Sequence, residues 1–291
     1  MGGDPMSNVL FDLPGPKAAR RHRIIGALTV IGLMAIAAVV VWKLQSEGEL
    51  EYAKWEPFFT PAYINVLLEG LWKTLLAGLI AIVGALIIGA VFGVGKLSQH
   101  RWLRWPSWLF VEFFRAVPLL MLIIFIWSVQ GFPLDTIVPL VLGLMLYNGA
   151  VLAEVFRAGV NAVPPGQAEA AYAVGMRKNQ VMRIIQMPQA IKIMLPSIIS
   201  QCIVALKDTS LGYYILAPGL TFAGRGVWRE FRNYLQTGIV LAIIYIVLNL
   251  LLYALGVWLQ RRFGGESKID LVGGIVQSQP GGGAAMPGGG F

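Results

Sequence analysis

Long apolar runs, rather than alternating apolar and polar positions, dominate this chain. Uncharged stretches lie between Arg23 and Lys43, between Lys73 and Lys96, between Arg115 and Asp135, and between Asp135 and Glu154. From Ile193 to Gly224 the only charges are the adjacent Lys207 and Asp208, and Asn233 to Gln260 carries none. A helix rising 1.5 Å per residue needs about 20 residues to cross a roughly 30 Å hydrocarbon core. The pattern therefore predicts an all-α integral membrane protein with six transmembrane helices, near 24–43, 66–95, 107–130, 137–158, 190–217 and 236–260. The first run is too long and lies too far along the chain for a cleaved signal with the usual small-residue site, so it is expected to stay as an anchor.

Composition and charge support the same class. Hydrophobic residues make up 57% and charged residues 13%, well under the roughly 25% charge of a soluble domain. The mean hydropathy is +0.69. The net charge of +8 would point to nucleic acid in a soluble protein, but here the basic residues sit between apolar runs, where they set topology. The single Cys202 excludes an internal disulfide, and one Cys with two His cannot build a zinc cage, so no metal site is expected.

Lys and Arg concentrate in alternate connections. The N-terminal segment 1–23 holds Lys17, Arg20, Arg21 and Arg23, and the connection after the second helix holds Lys96, Arg101 and Arg104. Arg157, Arg177, Lys178, Arg183 and Lys192 follow the fourth helix, and Arg261, Arg262 and Lys268 follow the last. The loop 44–65 is acidic instead, through Glu47, Glu49, Glu51 and Glu56. Both termini are therefore expected to be cytoplasmic, with 44–65 outside. Arg225, Arg229 and Arg232 break the rule by falling on the outer side. The Gly-rich tail 263–291 lacks apolar periodicity and is expected to be disordered. No internal repeat is visible, and so no sign of the inverted halves of many secondary transporters.

The cytoplasmic segment 160–190 is the most informative. Val163-Pro164-Pro165-Gly166 forms a rigid lead-in, Glu169 to Val174 is helix-prone, and Gly175 permits a left-handed stop. A second short helix is expected to run to Pro188. Ala170 and Ala171 leave one face small enough to enter a groove on another protein. A connector this long is usually functional.

The run Glu169-Ala170-Ala171, three residues, Gly175, nine residues, Ile185-Gln186-Met187-Pro188 resembles the signature of permease subunits of binding-protein-dependent ABC importers, with Met187 where Leu is usual. That exchange keeps volume and apolarity. Glu112-Phe-Phe-Arg-Ala-Val-Pro-Leu-Leu120, Ala153-Glu-Val-Phe-Arg-Ala-Gly159, Gly166-Gln167 and Lys207-Asp-Thr-Ser-Leu211 look like the polar amino-acid uptake branch, which includes histidine, glutamine, glutamate and arginine systems. The resemblance covers about residues 60–262. It implies a five-helix permease core at 66–262, to which helix 24–43 and the tail are additions without an inherited role. It also implies that Gly166, Glu169, Ala170, Ala171, Gly175, Ile185 and Pro188 form a coupling segment docked on a cytoplasmic ATP-binding subunit. That subunit, as a dimer, would bind the ATP and Mg, and no cofactor would belong to this chain. A second permease subunit, identical or related, and an extracytoplasmic amino-acid-binding protein complete the expected partners, in the cytoplasmic membrane of a prokaryote. A loop that merely caps its own bundle is the plainer alternative for 160–190.

Ionisable residues inside spans are costly and face a cavity or a partner. Glu112 and Arg115 are three apart and share a helix face, and Glu154 and Arg157 repeat that spacing. These pairs either line the translocation path or brace helices. Glu154, Lys207, Asp208, Thr209 and Ser210 are the first candidates for the path, with Arg115 and Arg157 nearer the cytoplasmic ends and able to snorkel. An amino acid carries an ammonium and a carboxylate, so a pathway offering both signs suits it. Arg225, Arg229 and Arg232, spaced to share one side of a helix, either meet lipid head groups or dock the binding protein. Gly89 and Gly93 form a small-residue pair suited to helix packing. Gly93-Val-Gly95-Lys96 is not a phosphate loop, since position 90 is Ala, Leu97 replaces Ser/Thr, and no strand precedes it. No nucleophile–base set, metal cluster or nucleotide motif is present, so no catalysis is expected. The reading is an ATP-driven importer permease for polar amino acids, glutamate or glutamine first. The alternatives are a secondary transporter or channel acting alone, and a membrane scaffold.

Overall fold

The structure is a computed structural model that describes residues 16–131, 133 and 136–263; the tail and the first 15 residues lie outside it. Among the described residues every regular element is helical. The long helices are α1 (Pro16–Ser46), α2 (Pro61–Leu97), α3 (Arg101–Ala116), α4 (Leu119–Gln130) and α5 (Val138–Asn161). They continue with α6 (Pro165–Ala173), the single turn α7 (Lys178–Gln180), α8 (Met187–Asp208), α9 (Leu220–Phe231) and α10 (Tyr234–Phe263). Five helical segments are long and apolar enough to cross a membrane on their own.

The expected span 107–130 is instead two helices, α3 and α4, meeting at 101°. The cause is local. Val117 precedes Pro118, and the proline ring disfavours helical geometry in the residue before it. Val117 is extended (φ −79°, ψ 128°) and ends α3, while Pro118 starts α4. The expected second short helix ending at Pro188 also does not stop there. Lys178–Gln180 runs through a wide π turn, Val181–Gln186, directly into α8, and Pro188 is the second residue of α8, immediately after that turn.

The chain divides into two compact units, Met1–Lys73 with Pro218–Ile244, and Thr74–Ala217 with Tyr245–Phe291. In the second unit α5 is central. Its Leu144, Asn148, Ala150 and Ala153 are wholly buried. It meets α2 through residues small enough for close approach. A Cβ on Gly89 would lie 2.6 Å from Leu152 Cβ, and one on Gly93 2.8 Å from Phe156 Cβ. Van der Waals contact of this kind, rather than hydrophobic drive, holds helices together in lipid. Across α5, Asn148 bridges to α8. Its amide donates to Leu144 O at 2.9 Å, and its Oδ1 accepts from Gln201 Nε2 at 2.6 Å.

In the first unit α1 stands free along its span, with none of it buried. The segment that follows is tied down by amides at the start of α10. Asn233 Nδ2 donates to Lys54 O at 2.8 Å, and Gln236 Nε2 donates to the Glu49 backbone carbonyl. Thr237 Oγ1 donates to Asn233 Oδ1 at 3.0 Å, and Asn233, Gln236 and Thr237 are fully buried. Lys54 Nζ pairs with Glu49 Oε1 at 2.8 Å, and Gln236 Nε2 reaches Glu49 Oε2 at 3.2 Å.

Two predictions follow from this packing. Gly89→Leu places a branched side chain where even a Cβ meets α5, so the detergent-solubilised chain should lose roughly 1–3 kcal/mol, while Gly26→Leu, with open space around it, should be neutral. Thermal melting of both variants separates the outcomes. Separately, Lys54 and Gln236 hold the Glu49 carboxyl below its ordinary value of 4.5. A depressed folded value stabilises above the unfolded one, so this contribution is complete above about pH 5 and disappears as pH falls through the folded value. Protease nicking of 47–60 should rise only in that acid window, and Glu49→Gln should remove the dependence.

Candidate functional site

The expected coupling segment forms a discrete element. α6 begins with Pro165 in its first turn, pre-set for helix, and ends on a complete Schellman arrangement. Gly175 N donates to Tyr172 O at 2.9 Å and Met176 N to Ala171 O at 3.1 Å, with Gly175 at φ +83°. Only glycine adopts that conformation without cost. The Gln180 side chain then accepts from Arg177 N at 2.8 Å and opens the next turn. α6 packs against the π turn Val181–Gln186, with Val181 wholly buried.

The two alanines of the segment do not share one outward face. Ala171 is buried against its own chain, while Glu169 and Ala170 are exposed. Glu169 has no ion pair among the described residues, and Tyr172 and Val174 project beside it at 46% and 78% exposure. Gly166 and Pro188 are exposed, and Ile185 is half-buried. The outward surface is thus Glu169, Ala170, Tyr172 and Val174, and Ala171 is a packing residue.

The membrane charges come together around a residue that sequence reasoning passed over except as a topology marker. Lys96, at the end of α2, has a side chain only 6% exposed. Its Nζ donates to Glu112 Oε1 of α3 at 3.1 Å and sits 2.8 Å from Glu154 Oε2 of α5. Arg157 closes on Glu154 Oε1 at 2.8 Å, and Arg115 NH1 stands 3.8 Å from Glu112. The two expected pairs are therefore one five-residue cluster with Lys96 at its centre. It walls a cavity of about 530 Å³, completed by Arg104, Trp105 and Trp108 of α3. Pairing at three and four residues is visible in sequence, whereas Lys96 is 16 residues from Glu112 and 58 from Glu154, so only the fold shows it.

The remaining path candidates lie elsewhere. Thr209 is buried and donates to Leu206 O at 2.6 Å, Asp208 and Ser210 are half-buried, and Lys207 is exposed. Neither Lys207 nor Asp208 forms an ion pair with the Lys96 cluster. Asn148 and Gln201 were missed, since a mid-span amide carries no charge to flag it. Arg225 and Arg229 lie on α9, but Arg232 does not continue their face. It follows the last turn in the left-handed region (φ +53°), and Arg225 is half-buried while the other two are exposed. The side chain of Glu230 between them accepts from Tyr63 Oη at 2.7 Å.

Together these features define an α-helical membrane protein with one short extra helix, α6, closed on Gly175 between two of its long apolar helices. A family model described as "Binding-protein-dependent transport system inner membrane component" matches residues 81–265, more than half of the sequence, and the chain belongs to that family. It is a permease-type subunit of a bacterial cytoplasmic membrane. The chain is 39% identical over 247 residues to the glutamate transport system permease protein GluD of Corynebacterium glutamicum, covering 81% of this chain and 89% of that protein. It is 31% identical over 206 residues to the arginine transport system permease protein ArtQ of Bacillus subtilis, covering 68% and 93%. A crystal structure of an amino acid ABC transporter with histidines superposes with a TM-score of 0.65 at 29% identity, covering 69% of this chain and 95% of that one. The MetNI methionine ABC transporter shares the fold, with a TM-score of 0.57 at 19% identity over 70% and 99%.

The cluster yields a stability prediction. Lys96→Met leaves Glu112 and Glu154 facing each other with Arg157 and a distant Arg115, and because both carboxylates keep some access to solvent the loss should be roughly 1–3 kcal/mol. The variant should melt earlier in detergent, and Lys96→Arg should recover most of the loss. Unchanged melting of Lys96→Met would show that the carboxylates find other partners.

Proposed function

We propose that this chain moves polar amino acids, glutamate or glutamine first, across the cytoplasmic membrane as the permease half of an ATP-driven importer. The observation that carries the reading is the α6–Gly175 element, whose Glu169, Ala170, Tyr172 and Val174 are exposed rather than packed on the rest of the described chain. The substrate class draws support from the named relatives, two of which are permeases for glutamate and for arginine. Membership of a binding-protein-dependent family favours this reading over a transporter or channel working alone.

In this account a dimer of cytoplasmic ATP-binding subunits holds the ATP and Mg and receives the outward face of α6. Nucleotide then biases two arrangements of the permease pair, giving alternating access. A second permease subunit completes the path, to which Lys207, Asp208, Thr209 and Ser210 contribute charges and hydroxyls, while Glu154, Arg157 and Arg115, the other path candidates, are held in the Lys96 cluster and brace the helices beside it. An extracytoplasmic binding protein delivers the amino acid. Arg229 and Arg232, exposed at the end of α9, with Arg225 behind them, offer it a basic surface that speeds encounter.

The test separates docking from bending. Glu169→Lys should lower copurification of the ATP-binding subunit with permease abundance unchanged. Gly175→Val strains the left-handed residue by roughly 1–2 kcal/mol and should abolish most ATP-driven uptake in vesicles while the subunit still inserts. Normal uptake in Gly175→Val together with normal copurification in Glu169→Lys would return 160–190 to a simple connector.

A further inference from the structure

α3 has three faces, and only one of them packs inside the chain. Ser107 and Val111 are buried towards the bundle, and Phe110 stacks on Phe92 of α2 at 3.7 Å between ring centroids. A second stripe, Trp102, Trp105, Leu109 and Phe113, is apolar and open, with Trp102 91% exposed. The third carries Arg101, Arg104 and Trp108 and runs into the Lys96 cluster. An open apolar stripe beside a cationic one suits a helix to the membrane interface. The 101° bend to α4 gives it a direction different from that of the helix that follows.

We propose that this face of α3 is the seat of one anionic phospholipid of the cytoplasmic leaflet, its phosphate between Arg104 and the Lys96–Arg157 wall and its acyl chains along Trp102, Trp105 and Leu109. Two cavities flank Trp105, about 530 Å³ on the polar side and about 380 Å³ on the side of Arg101, Trp102 and Pro106. The polar cavity is lined by three cations, Lys96, Arg104 and Arg157, against two carboxylates, Glu112 and Glu154. That leaves one positive charge, the complement of a single phosphodiester. Arg104 is exposed and has no ion pair among the described residues, so its guanidinium is available for the bidentate contact phosphate favours. Lys96, Arg101 and Arg104 also mark the cytoplasmic side, where anionic lipids attract basic groups. A second copy of this chain is a poorer occupant, since across a two-fold axis Arg101 and Arg104 would approach their own equivalents. The inference is independent of which amino acid is carried.

Native mass spectrometry of the full-length chain in detergent tests it, with phosphatidylglycerol and phosphatidylcholine titrated separately. One phosphatidylglycerol should be retained per chain at concentrations where phosphatidylcholine is not. One surface arginine is worth about 1 kcal/mol towards anionic lipid, so Arg104→Gln should weaken retention about fivefold. Equal retention of the two lipids, or no change in Arg104→Gln, would overturn the proposal. So would efficient disulfide cross-linking of Trp105→Cys between two copies in phosphatidylcholine vesicles, which would show that protein covers this face.

Discussion

Lys96 stands at the end of α2, yet its ammonium is shared by carboxylates on α3 and α5, at 3.1 and 2.8 Å. Moving a charge out of water is expensive, and an ammonium as enclosed as that of Lys96 persists only when its partners are held in place. Here they are. Glu154 is gripped from its other oxygen by Arg157, and α2 and α5 approach closely through Gly89 and Gly93. The close approach positions the ammonium, and the ammonium in turn orients α3, which otherwise has only its Ser107–Val111 face against the bundle. The wall of the cavity depends on where that single side chain points.

The same economy governs the coupling element. α6 is nine residues long and could not persist alone in water, since isolated helices of this length are marginal. A proline at its start, a Schellman closure on Gly175 and packing on the π turn before α8 supply the stability. α6 packs on the π turn Val181–Gln186, which continues directly into α8, and α8 is joined to α5 by the Asn148–Gln201 bond and by Gly159, whose added Cβ would lie 3.0 Å from Met194 Cβ. These contacts join the exposed face of α6 to the interior of the second unit.

Much of this was legible in the sequence. Charge-free runs located the expected spans 24–43, 66–95, 137–158 and 236–260 to within about five residues, but they took the bent α3–α4 pair for one span and began 190–217 well after Lys178. The Glu-Ala-Ala pattern with its glycine identified α6 and its left-handed end. The break at Val117–Pro118 was also written there, but a 19-residue apolar run outweighed one proline. Three features needed the fold. Lys96 meets partners remote in sequence, and the inward turn of Ala171 depends on what α6 packs against. The amides Asn148, Asn233 and Gln236 are buried by tertiary structure, which no local pattern of polarity announces. Arg232 looked like the third member of a helical face, and its positive φ places it beyond the helix end instead.

The central claim is that an ATP-binding partner drives amino-acid movement through this chain. The direct measurement is uptake of labelled glutamate or glutamine into vesicles holding the chain with its ATP-binding subunit, second permease and binding protein, with ATP enclosed and no ion gradient imposed. The account predicts accumulation that requires both ATP and the binding protein and is indifferent to proton and sodium ionophores. Uptake by the chain alone, driven by an imposed proton or sodium gradient and unaffected by ATP, would contradict it.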